Sequence, residues 1–151
     1  MRVRKDVMVV AAVVAALGAT SAFARSTAPT RHAATTKLTA FLTVNQAIPA
    51  PKGAHGSGTF TATVSGNRIR FRLTFKGLTG PATASHIHAA LAGKANPAPA
   101  VPLCGPCKNG QTGTVTASAA VLKKIFGGAT YVNIHTAKNP AGEIRGQIAS
   151  S

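Results

Sequence analysis

The chain has 151 residues and carries 17 lysines and arginines against two acidic residues, a formal net charge of +15 at pH 7. Because the acids are only Asp6 and Glu143, the count excludes catalysis by paired carboxylates and leaves a Ser/His/Asp triad without support, so we expect no enzyme. So basic a chain is instead expected to attract anionic partners, such as a cell-envelope polymer or an acidic protein.

Residues 1–24 have the pattern of a secretory signal peptide. Three basic residues lie at positions 2, 4 and 5. The apolar run from Val7 to Ala16 is too short to span a bilayer, and Ala22-Phe23-Ala24 is an A-x-A cleavage site. Cleavage takes away three basic residues and one acid, which leaves a net charge of +13 and no later transmembrane segment. The expected location is secreted, extracellular or periplasmic.

Residues 25–36 are rich in Ser, Thr and Ala without a hydrophobic period, which predicts a flexible basic leader. From Lys37 the pattern changes, and apolar residues recur at every second position through Val44, as in a β-strand. Residues 46–58 then predict a loop. The remaining length, 37–151, fits one domain with one core.

Residues 59–76 predict the clearest β-hairpin of the chain. Apolar and polar residues alternate on both sides of Gly66-Asn67, a two-residue turn that tight hairpins favour. If Ser65 and Arg68 flank the turn, every facing pair in the interior is apolar. These pairs are Val64 with Ile69, Ala62 with Phe71 and Phe60 with Leu73.

The second half predicts further short elements. A strand at 85–91 is followed by a Pro/Gly-rich connection over 92–113, a strand at 113–118, a short helix at 119–126 and a hairpin at 130–148 that turns about 139–142. The sum is an all-β domain, an antiparallel Greek-key sandwich or barrel of about six to eight strands with one short helix.

Two segments, Ser85–His88 and Tyr131–Gln147, place polar residues on one strand face and apolar residues on the other. The core face would carry Ile87, Val132, Ile134, Ile144 and Ile148. The opposite face would carry His86, His88, Asn133, His135, Glu143, Arg145 and Gln147.

The spacing of His86 and His88 projects two imidazoles to the same side of a strand, as metal sites in β folds do. With His135 as the third ligand, these residues predict a copper or zinc site, and Glu143 or Asn133 would orient an imidazole as a second-shell partner. The alternative is a hydrogen-bonded polar cluster that holds the strands together.

Cys104-Gly-Pro-Cys107 has the spacing of a thioredoxin redox motif, but no helix is predicted to begin after it. Because these are the only two cysteines of an exported chain, we expect a structural disulfide between them.

A basic row, defined as Arg68, Arg70, Arg72 and Lys76, occupies the polar face of one predicted strand. Its side chains would lie roughly 7 Å apart, close to the charge spacing of an extended polyanion. The phenylalanines of the hairpin point to the core, and this shortage of exposed aromatic rings argues against nucleic acid as the physiological target. The alternative is a solvated outer face.

Several motifs together resemble the CHRD domain, a module named after chordin. They are Gly77-Leu78, then Ser85-His-Ile-His88, then Tyr131-Val-Asn-Ile-His-Thr136, and Gly142-Glu-Ile-Arg-Gly-Gln147 after a Pro/Gly turn. The resemblance implies a secreted β-sandwich-like domain over about 37–151 that acts as an extracellular binding or surface-interaction module.

A second, partial likeness is to copper/zinc superoxide dismutase, in which a similar His-x-His and a later strand histidine bind copper. The bridging histidine and the zinc-site aspartate of that enzyme have no counterpart here. This likeness implies, as the alternative function, a small metalloprotein with a histidine-ligated copper or zinc ion.

Overall fold

The computed structural model describes residues 34–151, so the expected signal peptide and most of the expected leader lie outside the described residues. The described part contains one α-helix, α1 (Ala119–Phe126), and a 3-10 turn at Val44–Gln46. No helix in this part of the chain is long and apolar enough to cross a membrane. The strands are β1 (Thr36–Thr43), β2 (Ser57–Ser65), β3 (Arg68–Lys76), β4 (Ala82–His88), β5 (Pro99–Cys104), β6 (Gln111–Thr116), β7 (Tyr131–Thr136), β8 (Ile144–Gln147) and β9 (Ala149–Ser150).

The strands form a single antiparallel sheet that is nearly closed into a barrel. Their order is β5-β4-β7-β8-β1-β2-β3-β6, and β9 pairs with β1. The all-β class with one short helix is therefore confirmed, in its barrel form. Since β7 and β3 are four places apart in this order, their outer faces lie on opposite sides of the barrel.

The predicted β-hairpin is confirmed with its register. Val64 pairs with Ile69, Ala62 with Phe71 and Phe60 with Leu73 between β2 and β3. Gly66 opens the turn with φ of 58°, a left-handed conformation that glycine adopts without a steric penalty. Turn chemistry and hydrophobic alternation specify the same pairing, and this agreement explains why the register could be predicted.

The barrel interior is filled by the apolar positions of the alternating strands. Phe60 and Phe71 stack there with their ring centroids 6.2 Å apart. Each large side chain removed from water contributes about 1.5–3 kcal/mol to folding. All five residues assigned to the core face around the histidine motifs are buried in this core, namely Ile87, Val132, Ile134, Ile144 and Ile148.

The prediction missed β5, because residues 99–104 fell within the segment expected to be an irregular connection. This strand contains Pro99 and Pro102, which lack the N–H needed for a central strand. It lies at the end of the strand order and pairs only with β4, so one of its sides needs no ladder bonds. Two smaller differences are that β6 begins at Gln111 and β4 at Ala82.

The short helix has the predicted bounds. Ser118 caps its N-terminus, where the hydroxyl accepts a hydrogen bond from the backbone N–H of Val121 at 3.3 Å. Ile125 is fully buried against the barrel, and Gly127 follows the last turn. The helix thus packs one apolar face on the core.

Candidate metal centre

The three predicted ligand histidines lie together on the outer face of β4 and β7. His86 and His88 point to the same side of β4, and His135 extends from the neighbouring strand. One ring nitrogen from each lies within 4.8 Å of the others. The register explains the approach, because His86 pairs with Asn133 and Ala84 pairs with His135, which makes the two imidazoles diagonal neighbours.

A hydrogen bond to a backbone carbonyl determines which ring nitrogen of His135 keeps its lone pair. Its Nδ1 lies 2.9 Å from the carbonyl oxygen of Pro140. Because a carbonyl only accepts, Nδ1 must carry the hydrogen, and Nε2 keeps its lone pair. The Nδ1 of His86 lies 3.2 Å from that Nε2 and therefore donates to it.

His88 is held in the same way by a second backbone carbonyl. Its Nδ1 donates to the carbonyl oxygen of Asn96 over 2.9 Å, which leaves the lone pair on Nε2. That Nε2 is buried without a hydrogen-bond partner, and the residue is only 3% exposed. An unpaired buried acceptor costs about 1–3 kcal/mol, and this nitrogen is free to accept a bond.

The surroundings of His86 and His88 favour the neutral form of both rings. Burial lowers the pKa of His86 below its ordinary value, and the neighbouring His135 and His88 lower it further. Burial also lowers the pKa of His88 and, with the neighbouring His135 and Arg145, outweighs the backbone groups of Asn96 and Ala98, which act in the opposite direction. Metal ions bind the neutral imidazole, so both shifts prepare these nitrogens for coordination.

The spacing of the nitrogens is close to that of a metal site. Two nitrogens bound tetrahedrally at 2.0–2.1 Å from one ion would lie about 3.3 Å apart. The observed separation between His86 Nδ1 and His135 Nε2 is 3.2 Å. These two rings could share an ion with little movement, and the His88 nitrogen, which lies within 4.8 Å of the other two, would have to come closer by up to about 1.5 Å.

The connection between β4 and β5, residues 89–98, covers this face and fixes His88 through Tyr131. The Tyr131 hydroxyl donates to the Asn96 carbonyl at 3.0 Å and accepts from the Asn96 N–H at 3.2 Å. Its ring stacks on His88 with centroids 5.0 Å apart and planes only 7° apart. The guanidinium of Arg145 lies 3.6 Å from the Tyr131 ring centroid, a cation–π contact.

Glu143 and Asn133, the expected second-shell partners, bond to the turn between β7 and β8. Asn133 Nδ2 donates to the carbonyl of Ala141 at 3.1 Å. The carboxylate of Glu143 accepts from the Asn139 amide at 2.8 Å and from the Thr136 hydroxyl at 2.7 Å. None of their hydrogen bonds goes to an imidazole within residues 34–151. They hold the turn whose Pro140 carbonyl orients His135, so their influence on the imidazole is indirect.

Glu143 is fully buried and also joins a third segment. It accepts from the backbone N–H of Thr79 at 2.7 Å and from the Thr79 hydroxyl at 2.6 Å. Burial alone would raise the pKa of this carboxyl, but its hydrogen bonds to Thr79, Thr136 and Asn139 outweigh burial and lower it. Glu143 therefore stays ionised as the centre of a polar cluster beside the histidines.

The two cysteines form a disulfide between Cys104 at the end of β5 and Cys107. The N–H of Cys107 donates to the carbonyl of Ala82 at 3.0 Å. No helix follows, since the chain continues into β6. The expected pairing of the two cysteines is confirmed.

The basic row lies apart from the histidines. Arg68, Arg70, Arg72 and Lys76 are all exposed on the outer face of β3, on the opposite side of the barrel. The only side-chain carboxylate in residues 34–151 belongs to Glu143, which is buried in its own cluster. None of these four cations therefore has an acidic side chain to pair with in the described part of the chain.

Sequence reasoning missed the groups that orient the imidazoles. The carbonyls of Pro140 and Asn96 belong to loops, and the side chain at a position does not reveal where its carbonyl points. Tyr131 was within reach of prediction, because it is the single tyrosine of the chain and sits in the same motif as His135.

In a comparison with protein families, the CHRD domain model matches residues 38–148. Comparison with curated proteins and with solved structures gives no match. CHRD domains are typically extracellular, and a disulfide is consistent with that location. The matched range includes the three histidines, the disulfide and the basic row, and the chain belongs to the CHRD domain family.

Proposed function

We propose that this CHRD domain is an extracellular binding module that binds one copper or zinc ion through His86, His88 and His135. The observation that carries the proposal is the convergence of three imidazole nitrogens, one from each ring, within 4.8 Å of one another. In His135 and His88 the Nδ1 donates to a backbone carbonyl, which leaves Nε2 as the nitrogen that can coordinate an ion. The Nε2 of His88 is buried without a hydrogen-bond partner. Carbonyl hydrogen bonds of this kind orient ligating imidazoles in metal proteins.

Intrinsic affinity favours copper(II) over zinc. All three donors are imidazole nitrogens, and copper(II) binds such ligands more tightly than zinc in the usual order of divalent ions. The cysteines are joined in a disulfide and offer no thiolate. Within residues 34–151 this is the only cluster of three potential ligands, which supports a site for a single ion.

Metal binding would change which nitrogen of His86 carries the proton. The Nδ1 of His86 now donates a proton to His135, so it must lose that proton before it can coordinate. The proton can move to the Nε2 of the same ring. A three-nitrogen site leaves a fourth position for water or another small ligand.

The test is direct metal titration of the purified domain. Isothermal titration with copper(II) and with zinc(II) is expected to show one ion per chain, with copper the tighter. His86→Ala, His88→Ala and His135→Ala should each abolish stoichiometric uptake. His55→Ala is the matched control, because His55 is exposed in the loop before β2 and lies outside the cluster.

The outcome that rules out the proposal is equally clear. If the wild-type domain takes up neither ion at pH 7.5, or if His55→Ala reduces uptake as much as His88→Ala does, the cluster is structural. Circular dichroism of each variant without metal shows whether the barrel is intact. A variant that is folded and fails to bind is the informative case.

The extracellular location has its own test. The basic start, short apolar run and Ala22-Phe23-Ala24 predict cleavage before Arg25. The intact mass of protein recovered outside the cytoplasm should match a chain that begins at Arg25. Recovery of the full-length chain from a membrane fraction would contradict the prediction.

A further inference from the structure

A second surface lies on the other side of the barrel, on the outer faces of β1, β2, β3 and β6. Polar side chains from the four strands align there in cross-strand rows. One row runs from Lys37 through Thr63 and Arg70 to Thr114. The next runs from Thr39 through Thr61 and Arg72 to Thr112. In each row the arginine of β3 therefore lies between a threonine of β2 and a threonine of β6.

These rows line the first of two shallow grooves that follow one another along the strands. The larger groove has a volume of about 720 Å³ and is lined by both rows. The second, of about 400 Å³, is bordered by Phe41, Thr59, Thr74 and Lys76. From Arg68 to Lys76 the basic row extends roughly 27 Å along the strand. An extended polymer that lies along β3 can therefore contact all four cations.

The charges on this surface lack partners in residues 34–151. The buried Glu143 is the only acidic side chain there, and its hydrogen bonds are all made on the opposite side of the barrel. Three of the four cations in the basic row are arginines, which bind carboxylate, sulfate or phosphate oxygens through two parallel hydrogen bonds. The surface is therefore complementary to a chain of oxyanions.

The uncharged side chains of this surface indicate which kind of polymer carries the acidic groups. Threonine hydroxyls on both sides of the arginines can exchange hydrogen bonds with the hydroxyls of a sugar chain. Phe41 is 73% exposed at the end of the surface and offers a flat apolar ring to one sugar. Single-stranded nucleic acid needs several stacking rings, and this surface has one.

We infer that the outer face of β1, β2, β3 and β6 binds an acidic polysaccharide that lies along the strands, with its acidic groups on Arg68, Arg70 and Arg72. This surface is separate from the histidine cluster. Its test therefore does not depend on metal binding.

The experiment measures binding of the metal-free domain to heparin and to polygalacturonate over a range of salt concentrations. Arg68→Ser/Arg70→Ser/Arg72→Ser should weaken binding roughly 10- to 100-fold and flatten the salt dependence, because three counterion-releasing contacts are lost. The control is Lys52→Ser/Lys94→Ser/Lys124→Ser. It removes the same charge from three exposed positions outside the surface and should have little effect.

Phe41→Ala separates a sugar partner from a generic polyanion. It should weaken binding to both polysaccharides several-fold with an unchanged salt slope, whereas Phe126→Ala, which alters an exposed ring on α1, should not. Two results would overturn the inference. One is equal loss in the two triple-charge variants, and the other is tighter binding of oligo(dT) than of either polysaccharide at the same salt. If the arginine variant is unfolded by circular dichroism, Arg70→Ser alone takes its place.

Discussion

The Nδ1 of His86 donates a hydrogen bond to the Nε2 of His135 across 3.2 Å, between neighbouring strands. In the metal-free domain this proton occupies the space that an ion would share between the two nitrogens. The bond keeps both rings in place and prevents two lone pairs from facing each other. An ion can bind between these two nitrogens once the proton moves to the Nε2 of His86, with little rearrangement of the two rings.

The first prediction concerns Glu143 and the turn that orients His135. Glu143→Ala leaves the Thr79 N–H and the Thr136 hydroxyl without their acceptor in a buried site. Hydrogen bonds to a charged group contribute about 1.5–3 kcal/mol each, so we expect a loss of roughly 3 kcal/mol or more in the free energy of unfolding. Urea denaturation measures this loss.

Glu143→Gln is the conservative partner of that variant. One oxygen remains to accept hydrogen bonds, and we expect a loss of roughly 1–2 kcal/mol. If the proposed metal site is correct, both variants should also bind copper about 10- to 100-fold more weakly, because the Pro140 carbonyl is no longer held. Equal stability of wild type and Glu143→Ala would show that the cluster contributes nothing to folding.

The second prediction is a pH dependence of stability in the presence of a chelator. The folded-state pKa values of His86 and His88 lie below the ordinary value of 6.5, chiefly because the rings are buried. As pH falls through 6.5 the unfolded chain takes up protons that the folded chain does not, so the free energy of unfolding decreases. Their contribution is complete above pH 6.5 and declines until the folded-state pKa values are reached.

The measurement is a series of urea midpoints from pH 8 to about pH 3. The wild-type midpoint should fall below pH 6.5, and His86→Asn/His88→Gln should show a flatter profile in that window. A separate decrease is expected below pH 4.5, because the folded-state pKa of Glu143 is also lowered. A rise in wild-type stability between pH 6.5 and pH 5 would contradict the assigned sign.

The third prediction tests how Tyr131 fixes His88. Tyr131→Phe keeps the ring that stacks on His88 and removes the hydroxyl that bonds to Asn96. We expect a loss of about 1 kcal/mol in stability and faster amide hydrogen exchange in residues 89–98, since this connection loses a side-chain anchor. Unchanged exchange in this segment would show that the hydroxyl does not hold it.

Much of the fold could be predicted because local signals agreed with each other. In β2 and β3 the alternation, the turn residues and the pairing all specify one register, and in α1 the spacing of apolar residues coincides with a serine cap. The two motifs with histidines also showed which side chains leave the core face. Period-two alternation predicted only that His86, His88 and His135 leave the core face, and the pairing of β4 with β7 brings them onto one surface.

The rest depended on information that the sequence pattern does not contain. The edge strand β5 carries two prolines, and only its position in the sheet order makes them tolerable. Glu143 lies next to β8 and was expected to contact an imidazole directly. It instead reaches Thr79, 64 residues earlier in the chain, a contact that only the closed barrel creates.

The fourth prediction concerns the disulfide between Cys104 and Cys107. It closes a very short loop, so loop-closure entropy gives it only about 2 kcal/mol. We expect Cys104→Ser/Cys107→Ser to remain folded, with faster hydrogen exchange confined to residues near 104–110. Free thiols in protein purified without reductant would contradict the bond itself, and a global loss of structure in the double variant would contradict its local role.

The last prediction explains the second glycine of the Gly-Glu-Ile-Arg-Gly-Gln motif. A Cβ on Gly146 would lie 2.5 Å from the carbonyl oxygen of Phe41, a backbone atom of β1 that cannot rotate away. Gly146→Ala must therefore push β8 from β1, and we expect a loss of about 2–3 kcal/mol in the free energy of unfolding. Gly80→Ala is the matched control, since a Cβ there meets no atom within 4 Å, and it should be neutral or slightly stabilising. Urea denaturation of both variants decides the matter: similar midpoints would mean that β8 does not approach β1 as closely as described. A lower midpoint for Gly146→Ala alone would show that this glycine is needed where the two strands meet.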